Sequence, residues 1–294
     1  MPAMDALFDR LFANVSSTQR REILNFRETH QFKTREIAGN TWEYIDTEEG
    51  NINLVMVPGG MRRPHIGWRM LQAFEKRYRV IAPSYPTTGS MNVLRDGIIS
   101  LLDEIGIHRF AIIGSSYGGV VAQCVLHAVP DRITHAILAN TGTISENPDI
   151  IKRLERGLRI IRMLPNRVVT WGGLRSFKKL LDGIHTEQRD LYDALLVEHF
   201  ARKWLTKKEF VCHYQGLLDF HSNFRFSPED SLTYSTKVLL IDSSHDPGVL
   251  DGASAALREM YPNATTHTFL EGGHMPSISK ADEFKKVIDD FLLQ

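Results

Sequence analysis

Short apolar runs of strand length alternate with helical patterns along most of this sequence. Most of these runs are continuous β-branched and aliphatic stretches, and they occupy residues 41–46, 53–60, 78–86, 110–119, 134–142, 237–246 and 266–273. Continuous apolar runs are typical of strands that are buried on both faces of a parallel sheet. Helical patterns at 66–77, 93–106 and 120–132 separate several of the runs. The alternation predicts an α/β fold, with a mostly parallel sheet covered by helices on both faces.

The alternation stops between residues 144 and 235. Segments in this stretch show helical periodicity, and none is convincing as a strand. We therefore predict an α/β core formed by residues 1–143 and 236–294, with residues 144–235 inserted as a helical cap rather than as a helical extension of the core surface. Helical spacing of Leu7, Leu11 and Val15 predicts a helical N-terminal extension over residues 1–33.

Charge and cysteine content limit the classes of partner and compartment. The chain has 35 basic and 35 acidic residues among 294, so its net charge favours neither nucleic acid nor an anionic membrane as a partner. Two cysteines and an N-terminus without a basic region and apolar run favour a reducing compartment, and we predict a cytoplasmic protein. No apolar run reaches about 18 residues, so no membrane span is predicted. The oligomeric state stays open.

The most specific motif is Gly114-Ser115-Ser116-Tyr117-Gly118, directly after a predicted strand and directly before a predicted helix. A sharp strand-to-helix turn leaves no room for side chains two positions before and after its central residue, and glycine meets that requirement. The glycine register selects Ser116 over Ser115 as a nucleophile. The N-terminus of the following helix offers N–H groups to a developing oxyanion.

A serine hydroxyl needs a base to take its proton, and twelve histidines are available. His274 follows the last predicted strand, so its loop is expected to overhang the nucleophile turn. A carboxylate that orients the base is expected after the preceding strand, where Asp246 lies on the loop and Asp242 at the strand tip. We predict Asp246, with Asp242 as the alternative, in the chain order Ser…Asp…His.

The loop after the run 53–57 supplies further candidates. We predict that Gly60 donates an N–H to the oxyanion together with the N–H of Tyr117. Arg62 and Arg63 come next, and we expect them to be solvated surface residues rather than ligands of an acidic substrate. Three side chains are candidates for the substrate pocket, Met61, Trp68 and Met275, with packing in the core as the alternative for Trp68. We predict no metal and no other cofactor.

Together these residues resemble the α/β-hydrolase superfamily, over essentially the whole chain outside the N-terminal extension and the cap. The resemblance implies an α/β-hydrolase fold. The sequence departs from the family pattern at Pro58, where histidine is general, and at Ser84, where aspartate is common. The stretches RVIAPSYP, DGIISLLDEIGI, GSSYGGVVAQ and YPNATTHTFLEGG are similar to the maspardin-like branch, whose members are regarded as binding or sorting proteins. Maspardin itself lacks the base histidine that this chain has as His274.

These motifs predict a serine hydrolase that cleaves a carboxylic ester or thioester of a small acyl substrate through an acyl-serine intermediate. Two alternatives remain open. One is a maspardin-like binding or adaptor protein with little or no catalysis. The other is C–C bond hydrolysis or perhydrolysis on the same scaffold.

Overall fold

The core of the protein is one mixed sheet. The computed structural model describes residues 5–145 and 147–294. Within these ranges eight strands form the sheet: β1 Lys33–Ile37, β2 Asn40–Asp46, β3 Asn53–Val57, β4 Arg79–Pro83, β5 Phe110–Ser115, β6 Ile133–Ala139, β7 Lys237–Ser243 and β8 Thr265–Phe269. Their order is β1-β2-β4-β3-β5-β6-β7-β8. The strands β3 to β8 are mutually parallel, while β1 and β2 are antiparallel to their neighbours. The predicted α/β class is thus confirmed.

Strand β1 was absent from the sequence prediction. It is an edge strand with the polar sequence KTREI, and only its last residue, Ile37, is buried. An edge strand that is solvated on its faces has no apolar run to reveal it. The other seven strands coincide with the predicted runs because each contributes buried aliphatic or aromatic side chains to the core.

The helices within these ranges cover both faces of the sheet. They are α1 Ala6–Leu11, α2 Ser17–Thr29, α3 Trp68–Glu75, α4 Met91–Glu104, α5 Tyr117–Ala128, α6 Pro148–Met163, α7 Asn166–Lys179, α8 Thr186–Ala201, α9 Lys207–Asn223, α10 Pro228–Leu232, α11 Ala253–Met260, α12 Pro276–Ser279 and α13 Ala281–Leu292. Buried side chains of α1, α2, α3 and α13 form the core on one face. Those of α4, α5 and α11 form the core on the other face. None of the helices in the described ranges is long and apolar enough to cross a bilayer.

Helices α6 to α10 lie between β6 and β7, in the segment predicted as a cap. The N-terminal helices α1 and α2 lie within the predicted extension, and they contact this segment as well as the core. Arg27 on α2 donates to the Glu198 carboxylate of α8 at 3.0 Å, and Arg202 donates to the same carboxylate at 2.8 Å. Glu198 is buried, so the two guanidinium groups supply the charge partners that a buried carboxylate requires.

Candidate active site

Ser116 occupies the sharp turn between β5 and α5. Its backbone has φ 56° and ψ −124°, which is outside the regions that side-chain-bearing residues normally adopt. The flanking glycines make this turn possible. A Cβ on Gly114 would lie 2.2 Å from the Gly118 carbonyl oxygen, and a Cβ on Gly118 would lie 2.6 Å from the Val57 carbonyl oxygen. The second contact also shows how closely the loop after β3 approaches the turn.

Hydrogen bonds from neighbouring strands hold the backbone of this turn. The Ser116 N–H donates to the Ala139 carbonyl at 3.0 Å, and the Thr141 hydroxyl donates to the Ser116 carbonyl at 2.7 Å. Tyr117 is the first residue of α5, and an N–H in that position has no acceptor within its own helix. The Ser116 hydroxyl makes no hydrogen bond within the described part of the chain and lines a cavity. The turn therefore presents a hydroxyl beside a free N–H.

His274 and Asp246 meet above the same edge of the sheet. The His274 Nδ1 atom lies 2.7 Å from Asp246 Oδ1, and both side chains are buried, at 5% and 8% exposure. When Nδ1–H donates to the carboxylate, Nε2 is left without a proton and can accept one. His274 lines the cavity that Ser116 lines. Asp242, the alternative acid, pairs instead with Arg258 at 2.5 Å.

Two residues that the sequence analysis did not single out hold the Asp246–His274 pair. Asn140, at the end of β6, donates from Nδ2 to the second carboxylate oxygen of Asp246 at 2.8 Å. The Gly248 N–H donates to Asp246 Oδ1 at 2.7 Å, and a Cβ on Gly248 would lie 2.4 Å from His274 Nδ1. A carboxylate with these partners stays in one orientation, and so does the imidazole that it holds. The available signal for Asn140 was a polar residue directly after a buried strand.

The loop after β3 brings Gly60 and Met61 to the cavity, and Arg62 turns inward behind them. Arg62 is 2% exposed, with a positive φ of 63°. Its Nη2 donates to the Pro86 carbonyl at 2.7 Å and the Thr88 carbonyl at 3.0 Å. The expectation of a solvated role is wrong for Arg62, because its guanidinium is buried and its hydrogen bonds connect the loop after β3 to the loop at residues 86–88.

Arg63 is partly exposed and pairs with Glu43 at 2.5 Å. It also lines the cavity. The expectation of a purely solvated residue is therefore too simple for Arg63.

The cavity has a volume of about 900 Å³ and lies between the sheet edge and helices α6 to α9. Its lining is mainly apolar, and the predicted pocket residues Met61 and Met275 belong to it. For Trp68 the pocket role is wrong and the alternative, packing in the core, is correct. Trp68 is buried in the core at 1% exposure, with its ring centroid 5.7 Å from that of Phe26 on α2. The first residue of α3 turns towards the N-terminal helices, which the sequence could not place.

His213 on α9 is a cavity-lining imidazole that the sequence analysis did not single out. Its ring centroid lies 4.4 Å from that of Tyr117, and a Cβ on Gly60 would lie 3.4 Å from its Cε1 atom. Burial lowers the pKa of His213 to about 3, so the ring is neutral at pH 7. It makes no hydrogen bond within the described residues. A neutral imidazole in this place can donate to, or accept from, a bound molecule.

Other reactive groups lie away from this cavity. Cys124 on α5 is buried, and burial raises the pKa of its thiol well above the ordinary value. A thiol in that environment is not a nucleophile at neutral pH. In the described part of the chain, no group of three or more histidine, cysteine, aspartate or glutamate side chains is arranged to hold a metal ion.

Most of the chain matches one known protein family. Residues 54–287 match the model of the "Alpha/beta hydrolase family". The chain belongs to the α/β-hydrolase family. Its sheet, in which β2 alone runs antiparallel to the six parallel strands β3 to β8, is the α/β-hydrolase fold that the sequence resemblance implied. The similarity to the maspardin-like branch stays a prediction.

Relatives within the α/β-hydrolase family are named for different substrates. The chain is 25% identical over 241 residues to a 2-hydroxymuconate semialdehyde hydrolase of Pseudomonas putida, covering 74% of this chain and 77% of the relative. It is 24% identical over 245 residues to a putative carbamate hydrolase of a Caulobacter species, covering 76% and 83%. A crystal structure of a meta-cleavage product hydrolase from Pseudomonas fluorescens superposes with a TM-score of 0.69 at 22% identity, covering 90% and 98%. This likeness shows the fold and leaves the reaction open.

Proposed function

We propose that the protein is a serine hydrolase that cleaves a carboxylic ester or thioester through an acyl-Ser116 intermediate. One observation carries the proposal: the His274 imidazole is held by Asp246 at 2.7 Å and faces the cavity into which the Ser116 turn also projects. A serine on a strained strand-to-helix turn, beside an imidazole with a carboxylate partner, is the arrangement that nucleophilic acyl transfer requires.

In this mechanism His274 Nε2 accepts the Ser116 proton while Oγ attacks the acyl carbon. The carbonyl oxygen becomes an oxyanion, and the N–H groups of Tyr117 and Gly60 donate hydrogen bonds to it. When the bond to the leaving group breaks, the alkoxide or thiolate takes the proton from His274. A water molecule then repeats the sequence, which releases the acid and restores the serine hydroxyl.

The lining of the cavity defines the kind of acyl group that we propose. Its volume of about 900 Å³ suits a small molecule or a single acyl chain. Apolar side chains from the cap helices, such as Phe177 and Phe210, favour an apolar acyl portion over a charged one. His213 is placed to make a hydrogen bond with a polar group near the carbonyl.

A second candidate function is C–C bond hydrolysis. The similarity to the 2-hydroxymuconate semialdehyde hydrolase favours it. Two cationic side chains on the cavity lining that form no ion pair with the described residues, Arg153 and Lys179, offer partners for a substrate carboxylate. Ester and C–C cleavage use the same nucleophile turn, so the two candidates differ in the substrate rather than in Ser116.

A substrate panel separates these functions. The purified protein is assayed with p-nitrophenyl esters of increasing acyl length, with matching thioesters, and with 2-hydroxymuconate semialdehyde. We expect kcat/KM to rise with acyl length and to exceed the value for the semialdehyde at least tenfold. Ser116→Ala should lower the rate by several orders of magnitude, while the neighbouring substitution Ser115→Ala should lower it far less.

Faster cleavage of the semialdehyde than of any ester would replace the first candidate by the second. No turnover of any substrate by folded protein would contradict both and would favour the binding role.

A further inference from the structure

The helices α6 and α7 of the cap carry a concentrated positive charge. Between residues 148 and 180 there are nine basic and two acidic residues, whereas the whole chain has 35 of each. Six arginines of this segment are solvent-exposed: Arg153, Arg156, Arg159, Arg162, Arg167 and Arg175. None of the six forms an ion pair with any other side chain that the structure describes. This face is therefore an unneutralised cationic surface.

Large apolar side chains stand among these arginines. Ile160, Met163, Val168 and Trp171 are 49%, 79%, 45% and 64% exposed. They are half of the eight exposed large hydrophobic residues in the described ranges. All four lie in one stretch of twelve residues, 160–171, which spans the turn at Leu164-Pro165. We call these four side chains, together with the six arginines, the cap patch. Concentrations of exposed apolar surface of this kind mark interaction sites.

Helical spacing mixes the two kinds of side chain on one face. Arg156, Ile160 and Met163 are four and then three residues apart, so they lie in line along the exposed side of α6. The arginines at 167 and 175 lie one turn before and one turn after Trp171 on α7, and Arg175 lies over the Trp171 ring at 5.8 Å. Binding at a bilayer surface is strengthened both by apolar area that enters the headgroup layer and by basic side chains that attract anionic lipids, and this surface offers both.

The cap patch also borders the active-site cavity, because three of its ten residues line that cavity. Val168 and Trp171 line that cavity although they are largely exposed, and so does Arg153. The next residues inward along the same helices, Ile161, Leu164 and Val169, line it as well. An apolar path thus runs from the outer surface of the cap towards Ser116.

We propose that the cap patch docks the protein on the surface of an anionic lipid bilayer, with the cavity mouth facing the membrane. The arginines pair with lipid phosphates, and the four apolar side chains enter the headgroup layer. An acyl substrate dissolved in the bilayer then reaches Ser116 without crossing water. The docking proposal depends only on the charge and exposure of the cap patch. The entry of an acyl substrate from the bilayer rests in addition on the proposed function.

A bilayer fits the cap patch better than other polyanions do. Nucleic acid and soluble polyanions are bound through charge and base contacts, and they give no reason for Met163 and Ile160 to be exposed between arginines. A second copy of this chain would bring the same cationic face against itself, which charge repulsion disfavours.

Vesicle sedimentation tests this proposal. The full chain is mixed with phosphatidylcholine vesicles, with or without phosphatidylglycerol as about a third of the lipid. We expect binding only to the anionic vesicles, and release at about 0.5 M salt. The substitution pair Arg156→Glu/Arg159→Glu should lower the partition coefficient tenfold or more. The matched control Lys76→Glu/Arg77→Glu makes the same charge change at exposed residues outside the cap patch and should bind like the wild type.

A second pair of substitutions distinguishes a bilayer from a soluble polyanion. Ile160→Ser/Met163→Ser keeps every charge and should also weaken vesicle binding, while it leaves heparin binding unchanged. Hydrolysis of a short water-soluble ester should be the same in Arg156→Glu/Arg159→Glu as in the wild type, because neither arginine lines the cavity.

Several results would overturn the docking proposal. These are failure to bind anionic vesicles, equal losses in the control pair, insensitivity to the Ile160/Met163 pair, and self-association that the cap patch variants abolish. The Ser116→Ala protein should bind vesicles like the wild type. Vesicle binding by a protein that has no hydrolytic activity would therefore contradict the proposed function and leave the docking surface standing.

Discussion

Gly248 is the residue on which the position of the His274 ring depends most directly. Its N–H donates a hydrogen bond to the Asp246 carboxylate at 2.7 Å. A Cβ at position 248 would lie 2.4 Å from His274 Nδ1, which is too close for two unbonded atoms. A side chain here must displace the ring or the loop. The hydroxyl at 116 would then lose its base while the sheet and the cavity stay as they are.

We therefore expect Gly248→Ala to lower kcat by about a hundredfold, since a misplacement of about 1 Å has that effect. KM and the melting temperature should change little, because Gly248 lies on an exposed loop. Steady-state kinetics and thermal unfolding check the prediction. Gly67→Ala is the matched control, since a Cβ there meets nothing within 4 Å. An unchanged kcat in Gly248→Ala would contradict the claim that Gly248 fixes the position of the His274 ring.

Among single residues, the sequence identifies those whose role depends only on their neighbours in the chain. The glycines around Ser116 are needed by the turn itself, so the motif is readable in five consecutive letters. Asn140 and Arg62 were not identified or were misjudged, because their partners come from distant segments. Asn140 acts on a carboxylate 106 positions away, and the Arg62 guanidinium is buried only because the loop at 86–88 folds over it.

Helix α9, in the segment between β6 and β7, brings His213 to the lining of the cavity. The helix packs on α6 through Gly157, where a Cβ would lie 2.5 Å from the Tyr214 ring. This close packing fixes the position of α9, and the neighbouring residue His213 lines the cavity. A neutral imidazole that makes no hydrogen bond with the described residues is available to the substrate.

His213→Phe should raise KM for a preferred ester about two- to tenfold, which is the loss of one neutral hydrogen bond, and leave kcat within about twofold. His213→Asn keeps a donor and an acceptor and should recover most of the affinity. A KM that is equal in the wild type, His213→Phe and His213→Asn would mean that the side chain serves packing alone.

Elements with an apolar periodicity were predictable, while the polar edge strand β1 and the direction of each cap helix were not. The sequence places α9 in the insertion, but the face that meets the cavity depends on its contacts with α4 and α6. The role of His213 was hidden for the same reason.

For the molecule as a whole, buried histidines make stability depend on pH. Burial lowers the pKa of His127 to about 4 and of His199 and His213 to about 3. Below the ordinary histidine pKa of about 6.5, the unfolded chain binds protons that these folded sites exclude. Stability is therefore lost as the pH falls from about 6.5 towards 4, by up to about 1.4 kcal/mol per pH unit for each histidine.

We expect the free energy of unfolding in urea to fall between pH 7 and about pH 5 with this slope. His127→Gln should reduce the slope of this free energy against pH by the contribution of one histidine, whether or not the substitution changes the stability at pH 7. His108→Gln, at an exposed position, should leave the slope as it is in the wild type. A free energy of unfolding that is constant over this range, or equal slopes in His127→Gln and the wild type, would contradict the burial of neutral histidines.

The charge of the whole chain illustrates what a composition leaves out. Equal numbers of acidic and basic residues made an anionic membrane a poor candidate at the level of the sequence average. The fold leaves the six arginines of α6 and α7 exposed, and none of them forms an ion pair with the described residues. The prediction used the total charge, whereas a surface interaction depends on how that charge is distributed.

The central claim is that Ser116 is a nucleophile activated by His274 within the folded protein, and covalent labelling tests it most directly. The folded protein is treated with a fluorophosphonate, and the modified peptide is located by mass spectrometry. We predict stoichiometric labelling at Ser116, strongly slowed in His274→Ala and absent in Ser116→Ala. Labelling at Ser115, or no labelling of protein that is folded by circular dichroism, would contradict the claim.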